Sequence, residues 1–377
     1  MSNTVRLGDV ATYINGYAFK PEDRGTEGLP IIRIQDLTGN AYDLGFYSGE
    51  YPERIEINNG DVLISWSASL GVYIWDKGKA LLNQHIFKVV FDKLEMDKQF
   101  FVYAVHHKLR EMESKTHGAT MKHIVKKEFD NTTIPYPNME TQCDIANRID
   151  KVEGLLKKKQ EELRLLDDLI KSRFVEMFGD PIHNEKGWEI GTVEDACDDI
   201  YGGGTPSKAH PEYYENGNIP WVSSKDMKTD VLYDSQIHIN QLGVDNSTAK
   251  MVPVNSVIMV IRSGILKHTL PVAINAVPVT VNQDLKVFIP KKDVLTRFLA
   301  VQFKMHEKDI LSAVRAVTAD NIEFNSLKQR KIIIPPLRIQ QQFCDFTKKV
   351  DKLKSTTQQS INELQLLFDS LMQKYFG

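Results

Sequence analysis

The chain has 377 residues, of which 42% are hydrophobic and 26% charged, an ordinary globular balance with room for two to three domains. Its formal net charge of −3 excludes a protein that grips nucleic acid by bulk electrostatics alone, because neutralising phosphates takes clustered Lys and Arg. A reader of base edges whose phosphate contacts come from a partner subunit stays admissible. No apolar run is long enough to span a membrane, and MSNTVRLGDV lacks a charged region followed by an apolar core, so no signal peptide is expected and cytoplasmic is the default location. The cysteines Cys143, Cys197 and Cys344 are isolated and read as reduced structural thiols.

In chain order, residues 1–139 read as a mixed domain of short strands. Pro30–Ile34 is β-branched and ends at Asp36, Gly60-Asp61 turns into a strand ending at Ser65, and Ile86–Phe91 is a third. Phe101, Val105 and Leu109 recur at helical spacing over Lys98–Glu113; the polar loop Thr116–Thr120, a short helix and a strand over Thr132–Ile134 follow.

Residues 140–179 form one long helix. Its apolar positions are Ile145, Ile149, Val152, Leu156, Leu163, Leu166, Ile170 and Met177, spaced four and three apart with polar interruptions at Lys159 and Arg173. That is a heptad seam, built from good helix formers without proline, and roughly 55–60 Å long at 1.5 Å per residue. A shift of 198 lays Pro137 on Pro335, Gln142 on Gln340, Ile145 on Phe343, Val152 on Val350, Leu166 on Leu364 and Phe178-Gly179 on Phe376-Gly377. Residues 338–377 are therefore a second copy, and each seam finds its nearest partner in the other. The expected fold is α+β: two duplicated α/β domains, 1–139 and 180–337, separated by two long antiparallel coiled-coil helices and related by a pseudo-two-fold axis.

The second half repeats the order of the first. Ile190–Val193 echoes Leu7–Val10, Ile219–Met227 echoes Leu29–Leu37, Asn282–Leu285 echoes Asn83–Ile86, and Val317–Ile322 sits where Ala119–Ile124 sits. Frame positions match and the polar residues between them differ, as suits two modules binding two different things of one kind.

No catalytic constellation survives inspection. There is no phosphate loop; Gly202-Gly203-Gly204 follows no buried parallel strand and reads as a close backbone approach. Glu113-Ser114-Lys115 has no partner Asp on a preceding strand, and His106-His107 reads as a solvated helix face rather than a metal ligand pair. The chain is expected not to be an enzyme and to hold no metal of its own.

What remains is side-chain chemistry suited to base edges. In the first half the candidates are Arg33, Gln35, Ser65, Ser67, Gln84, His85, Lys115, Thr120 and Lys122; in the second, Thr205, Ser207, Lys208, Ser223, Lys225, Arg262, Ser263, Lys267, Arg315 and Thr318. Asn83-Gln84 and Asn282-Gln283 occur in both halves and read as scaffold turns, Asp36 and Asp226 as turn or cap residues.

These residues resemble the specificity subunits of type I restriction-modification systems. The resemblance rests on GGGTPSKAHPEYYENGNIPWVSSKDM, GYAFKPEDRGTEGLPIIRIQDL, NGDVLIS, and the twin helix openings IPYPNMETQCDI and IPPLRIQQQF, in the same order twice. It implies that each domain is a target recognition domain reading one half of a split, asymmetric site in double-stranded DNA. The helices would set the gap and dock two adenine methyltransferase (modification) subunits, with restriction endonuclease/translocase subunits completing the assembly. S-adenosylmethionine, ATP and Mg2+ would belong to those partners and not to this chain, which would steer methylation at half-modified sites and restriction at unmodified ones. The family's usual Glu-Gln near the helix start is replaced by Glu140-Thr141-Gln142 and Ile339-Gln340-Gln341. Two alternatives belong to other classes: a helical scaffold with two β-rich binding heads and no DNA role, and a fused restriction-modification enzyme, which the missing catalytic motifs disfavour.

Overall fold

A computed structural model describes residues 3–39, 43–115, 124–315 and 320–377. The chain divides into two compact units, the first made of residues 1–160 with 359–377 and the second of 161–358. Both are α+β and built on one plan. In the first unit Thr4–Arg6 pairs antiparallel with Thr133–Pro135. One sheet runs in the order Thr12–Asn15, Ile86–Val90, Val62–Ser65, Gly71–Ile74, and another Gly45–Tyr47, Leu29–Ile32, Ala80–Leu82, Glu56–Ile57.

The second unit repeats this with Ile190–Thr192 against Lys331–Ile333, then Cys197–Gly202, Leu285–Pro290, Val257–Val260, Val272–Asn275, and His238–Ile239, Ile219–Val222, Val279–Val281, Met251–Val252. Val231–Leu232 adds a further parallel strand beside Val272–Asn275. The central strands Val62–Ser65 and Val257–Val260 are buried along their whole length, which is why they read as unbroken apolar runs instead of alternating ones.

Three readings of the sequence are corrected here. The strand expected over Pro30–Ile34 stops at Ile32, because the Arg33 backbone N–H donates to Asp36 Oδ2 (2.8 Å) and opens a short helix, Ile34–Thr38. Ser223 and Asp226 do the same in the second unit (2.8 Å), so both Asp residues are the caps they were expected to be. Next, Leu7–Val10 does not correspond to Ile190–Val193. Strand register puts Val5 opposite Ile134 and Gly191 opposite Ile332; the Leu7 N–H donates to Thr132 O and the Val193 N–H to Arg330 O, so Leu7 matches Val193. Finally, His106 and His107 are not a solvated face: both are half-buried, and the His107 ring lies 6.4 Å from that of Phe376.

The long helices span Met139–Phe178 and Leu337–Phe376, 40 residues each. Asn138 caps the first, its Oδ1 accepting the Thr141 N–H (2.9 Å), and Gly179 ends it at φ 75°, a backbone state that glycine adopts without a Cβ clash. Gln142 and Gln340 are buried and do the same work: one Oε1 accepts from Asp97 N (3.0 Å) and the other from Leu295 N (2.9 Å), while the Nε2 groups donate to Pro137 O and Pro335 O. Each such side chain satisfies buried backbone groups that would otherwise be costly.

Within each unit the helices run antiparallel. In the second, Phe174 meets Phe343, Lys354 meets Asp167 (2.6 Å) and the Thr357 hydroxyl donates to Glu162 (2.9 Å). In the first, Ile145 and Ile149 share a core with Met372 and Phe376. The helix ends are exchanged between modules: Phe376 packs 5.2 Å from Phe100, and Phe178 packs 5.0 Å from Phe298. The seam therefore changes near its end, where the fully buried residues are Phe174 and Phe178 while Met177 is only half-covered.

One ion network ties a module to both helices of the second unit. Asp230 pairs with Lys304 of the module and with Lys354 (2.6 Å), and Arg297 pairs with Asp351 (2.7 Å). Burial alone would raise the Asp230 pKa, but the two ammonium groups more than reverse this and hold it below the usual carboxylate range. The three cysteines are free thiols; burial pushes Cys197 up to about 12 and Cys344 up to about 11. Among the described residues no helix is long and apolar enough to cross a membrane.

Candidate nucleic-acid interface

At one end of the larger sheet in the second unit, three antiparallel strands deliver their loops to one place. Gly202 stands opposite Lys286 and Val260 opposite Leu285, so the chain leaves two strands and enters the third at the same edge. A Cβ on Gly203 would lie 1.7 Å from Val281 O, and one on Gly204 1.9 Å from Thr248 Oγ1. The glycines thus permit the backbone approach expected of them, and Trp221 Nε1 locks it by donating to Gly204 O (2.9 Å).

Beyond them the Thr205 hydroxyl donates to Gln283 Oε1. Asn282 fixes the next turn: its Oδ1 accepts from Asp284 N and its Nδ2 donates to Asp284 Oδ2, both 3.1 Å. Asp284 O accepts the N–H groups of Ile261 (2.8 Å) and Arg262 (3.2 Å), and Arg262 Nε donates back to Asp284 Oδ1 (2.6 Å). Ser263 caps the turn Gly264–Lys267, and Lys267 Nζ pairs with Asp320 (3.2 Å). Lys286 Nζ sits 4.3 Å over the Phe324 ring, its pKa lowered by burial and by Arg262. Thr205, Arg262, Ser263 and Lys267 are therefore brought together, on an edge whose cations outnumber its carboxylates.

The first unit presents the same edge. Asn15 stands opposite Phe87 and Ser65 opposite Ile86. A Cβ on Gly16 would lie 2.0 Å from Asn83 O, as for Gly203. Asn83 N donates to Ile32 O and Asn282 N to Val222 O, so both Asn residues are the scaffold turns expected from their recurrence. Ser67, Gln84 and His85 converge here with the exposed Tyr17. His85 sits at φ 74°, its ring 5.0 Å edge-on to Trp66, with Nδ1 buried and lacking a hydrogen-bond partner among the described residues.

Other candidates are used internally. Ser65 is fully buried and its hydroxyl donates to Ser69 O (2.6 Å), because it ends a strand covered on both faces. Arg33 is turned onto Asp36 (3.2 Å) and Asp43, and the Ser223 hydroxyl donates to Asp226 (2.8 Å). Ser207 accepts from Ala209 N (3.3 Å). Gln35, Lys208 and Lys225 are exposed, and neither lysine pairs with a carboxylate among the described residues. Thr120, Lys122 and Thr318, and the side chains of Lys115 and Arg315, lie outside the described residues. Asp284, Lys286 and Tyr17 share these edges and were not among the candidates, and Gln283 was read only as a turn residue; the recurrence of Asn-Gln marked the turn but not its neighbours in space. Among the described residues no group of three or more His, Cys, Asp or Glu side chains could hold a metal ion.

The family described as type I restriction modification DNA specificity domain matches residues 2–165 and 185–366. The chain is 36% identical over 169 residues to the type I restriction enzyme EcoR124I/EcoR124II specificity subunit of Escherichia coli, covering 44% of this chain and 42% of that protein. It is 22% identical over 334 residues to the MjaIX specificity subunit of Methanocaldococcus jannaschii, covering 84% of this chain and 76% of the relative. The match thus spans less than half the length of the first relative and three quarters of the second. A crystal structure of the type I restriction-modification system S subunit from M. genitalium shares the fold, with a TM-score of 0.57 at 14% identity over 100% of this chain and 96% of that one. With both of its units matched in turn, this chain belongs to the type I restriction modification DNA specificity family.

Proposed function

We propose that the chain is the DNA sequence-specificity subunit of a cytoplasmic type I restriction-modification complex. Each unit reads one half of a bipartite, asymmetric target, and the long helices set the gap and dock two adenine methyltransferase subunits. Catalysis belongs to those subunits and to the endonuclease/translocase subunits, which bind S-adenosylmethionine, ATP and Mg2+.

One observation carries the reading. The same glycine-and-asparagine frame shapes a sheet end in both units, yet it presents Arg262 and Asp284 in one and Ser67 and His85 in the other. A common frame with exchanged donors and acceptors is what reading two different base sequences requires. The partner reading is supported by leucines exposed on the helices, Leu155, Leu165 and Leu169 on the first and Leu353, Leu366 and Leu367 on the second.

The test is to express the chain with its methyltransferase subunit in a methylation-free host and map methylated adenines genome-wide. The expected result is a split motif, two short specified blocks around a fixed gap. A soluble, associated complex that yields no motif would favour the scaffold reading instead.

A further inference from the structure

Arg262 is an exposed cation with an unusual tether. Its side chain is 57% accessible, yet its Nε is held 2.6 Å from Asp284 Oδ1. That carboxylate cannot swing away: its other oxygen receives Asn282 Nδ2 (3.1 Å), the Asp284 N–H is held by Asn282 Oδ1 (3.1 Å), and Asp284 O holds the Arg262 N–H (3.2 Å). The backbone of Arg262 is further pinned by its bridge to Asn321. The guanidinium plane is thus set before any ligand arrives, and its two terminal NH2 groups meet no acceptor among the described residues.

A planar pair of donors at an exposed sheet end fits a pair of adjacent acceptors. In the major groove only guanine offers two, O6 and N7, side by side; adenine offers one acceptor beside a donor. A phosphate could also take the fork, but the tether argues against it. Phosphate contacts draw on net charge, and a carboxylate at 2.6 Å cancels most of it while leaving the donor geometry intact. The charge for the backbone is available beside it on Lys286, which pairs with no carboxylate among the described residues.

We propose that Arg262, aimed by Asp284, specifies a guanine in the half-site read by the second unit. This rests on the reading of the chain as a specificity subunit, and adds to it a base, a residue and a positioning partner. The equivalent positions of the first unit carry Ser67 and His85, so the preference is not shared by the other half-site. Asp284 acts through Arg262 and touches no base.

The experiment maps methylated adenines genome-wide for the full chain with its methyltransferase subunit, as wild type, Arg262→Ala, Arg262→Lys and Asp284→Asn. Wild type should show a guanine in one block. Arg262→Ala should relax that position alone, with discrimination falling roughly 5- to 150-fold, the span of one bidentate contact, while the remaining positions, the other block and the gap are unchanged. Arg262→Lys should fail to restore it, because an ammonium offers no planar fork. Asp284→Asn should relax the same position by a smaller factor. An unaltered motif in Arg262→Ala, or an equal loss of methylation at every site as for a phosphate contact, would overturn the inference while the reading of the chain stands. An associated wild-type complex that yields no motif would overturn both.

Discussion

Replacing Phe376 by Ala should open a core built mostly from residues more than 220 positions away in the chain. Phe376 is 1% exposed, its ring 5.2 Å from Phe100 and 6.4 Å from His107, in a cluster with Ile145, Ile149 and Met372. Truncating a phenylalanine so enclosed costs about 3–5 kcal/mol, against about 5–15 kcal/mol for a whole domain. At about 1.4 kcal/mol per tenfold, amides that exchange by opening of the first unit should exchange roughly two to four orders of magnitude faster. Hydrogen exchange read by mass spectrometry on the full chain would show this in peptides covering Val62–Ser65 and Phe100–Leu109. Peptides covering Val257–Val260 and Phe298–Phe303 serve as the internal control and should keep their protection. Phe178→Ala should reverse the pattern, because Phe178 sits in the second core. Faster exchange confined to the last helical turns, or shared equally by both units, would refute the exchange of helix ends.

Asp230→Ala should destabilise the second unit by about 2–4 kcal/mol, since it leaves the Lys304 ammonium without its carboxylate in a largely buried site. For a unit of about 200 residues that is a melting-point drop of roughly 4–16 °C by calorimetry, and a shift below 1 °C would refute it. His306 is 2% exposed, neither ring nitrogen has a hydrogen-bond partner among the described residues, and burial, with help from Arg330, pushes its pKa down to about 4. The unfolded chain binds that proton below about 6.5 and the folded one only below about 4, so stability should fall as pH drops across this window, by about 3 kcal/mol at most. Denaturant midpoints at pH 7, 5.5 and 4.5 should show a slope that His306→Leu reduces; an unchanged slope would count against it. A heptad inserted at Lys157–Gln160, matched by one before Gln359, should change the tolerated gap in the methylation motif and leave both blocks as they were. Altered blocks with an unchanged gap would sink the role of the helices as a spacer.

Much of this architecture is legible in the sequence where periodicity speaks. The first long helix begins one residue earlier and ends one residue earlier than its heptads suggest, and the 198-residue shift pairs Gln142 with Gln340 and Phe178 with Phe376, which play matching parts in the two cores. Phe174 escaped because a heptad template assumes one partner along the whole seam, whereas here the last turns pack on Phe298 of a module as well as on Phe343 of the partner helix. Matching Gly8 to Gly191 misled the repeat by three residues, since an identity says less than strand pairing, which a linear string does not record. The same limit governs the interface. Arg262 stood out by its chemistry, but Asp284 is 22 residues distant and becomes its neighbour only through the register of Val257–Val260 with Leu285–Pro290. Ser65, Arg33 and Ser223 have equally suitable chemistry, and packing turns them inward.

The exchanged helix ends also order events during synthesis. A core drawn from residues 1–160 and 359–377 stays incomplete while the stretch between them is translated. At about 5–20 residues per second, roughly 10–45 s separate the appearance of Gln160 from that of Phe376. Through that interval Phe100, Ile145 and Ile149 lack the cover of Met372 and Phe376, and the nascent chain carries an open apolar seat beside the ribosome. The second unit needs nothing beyond Gln358, so the half made later is the first able to close. The usual order is inverted: the amino-terminal half, made first, is the last to receive its full complement of core residues.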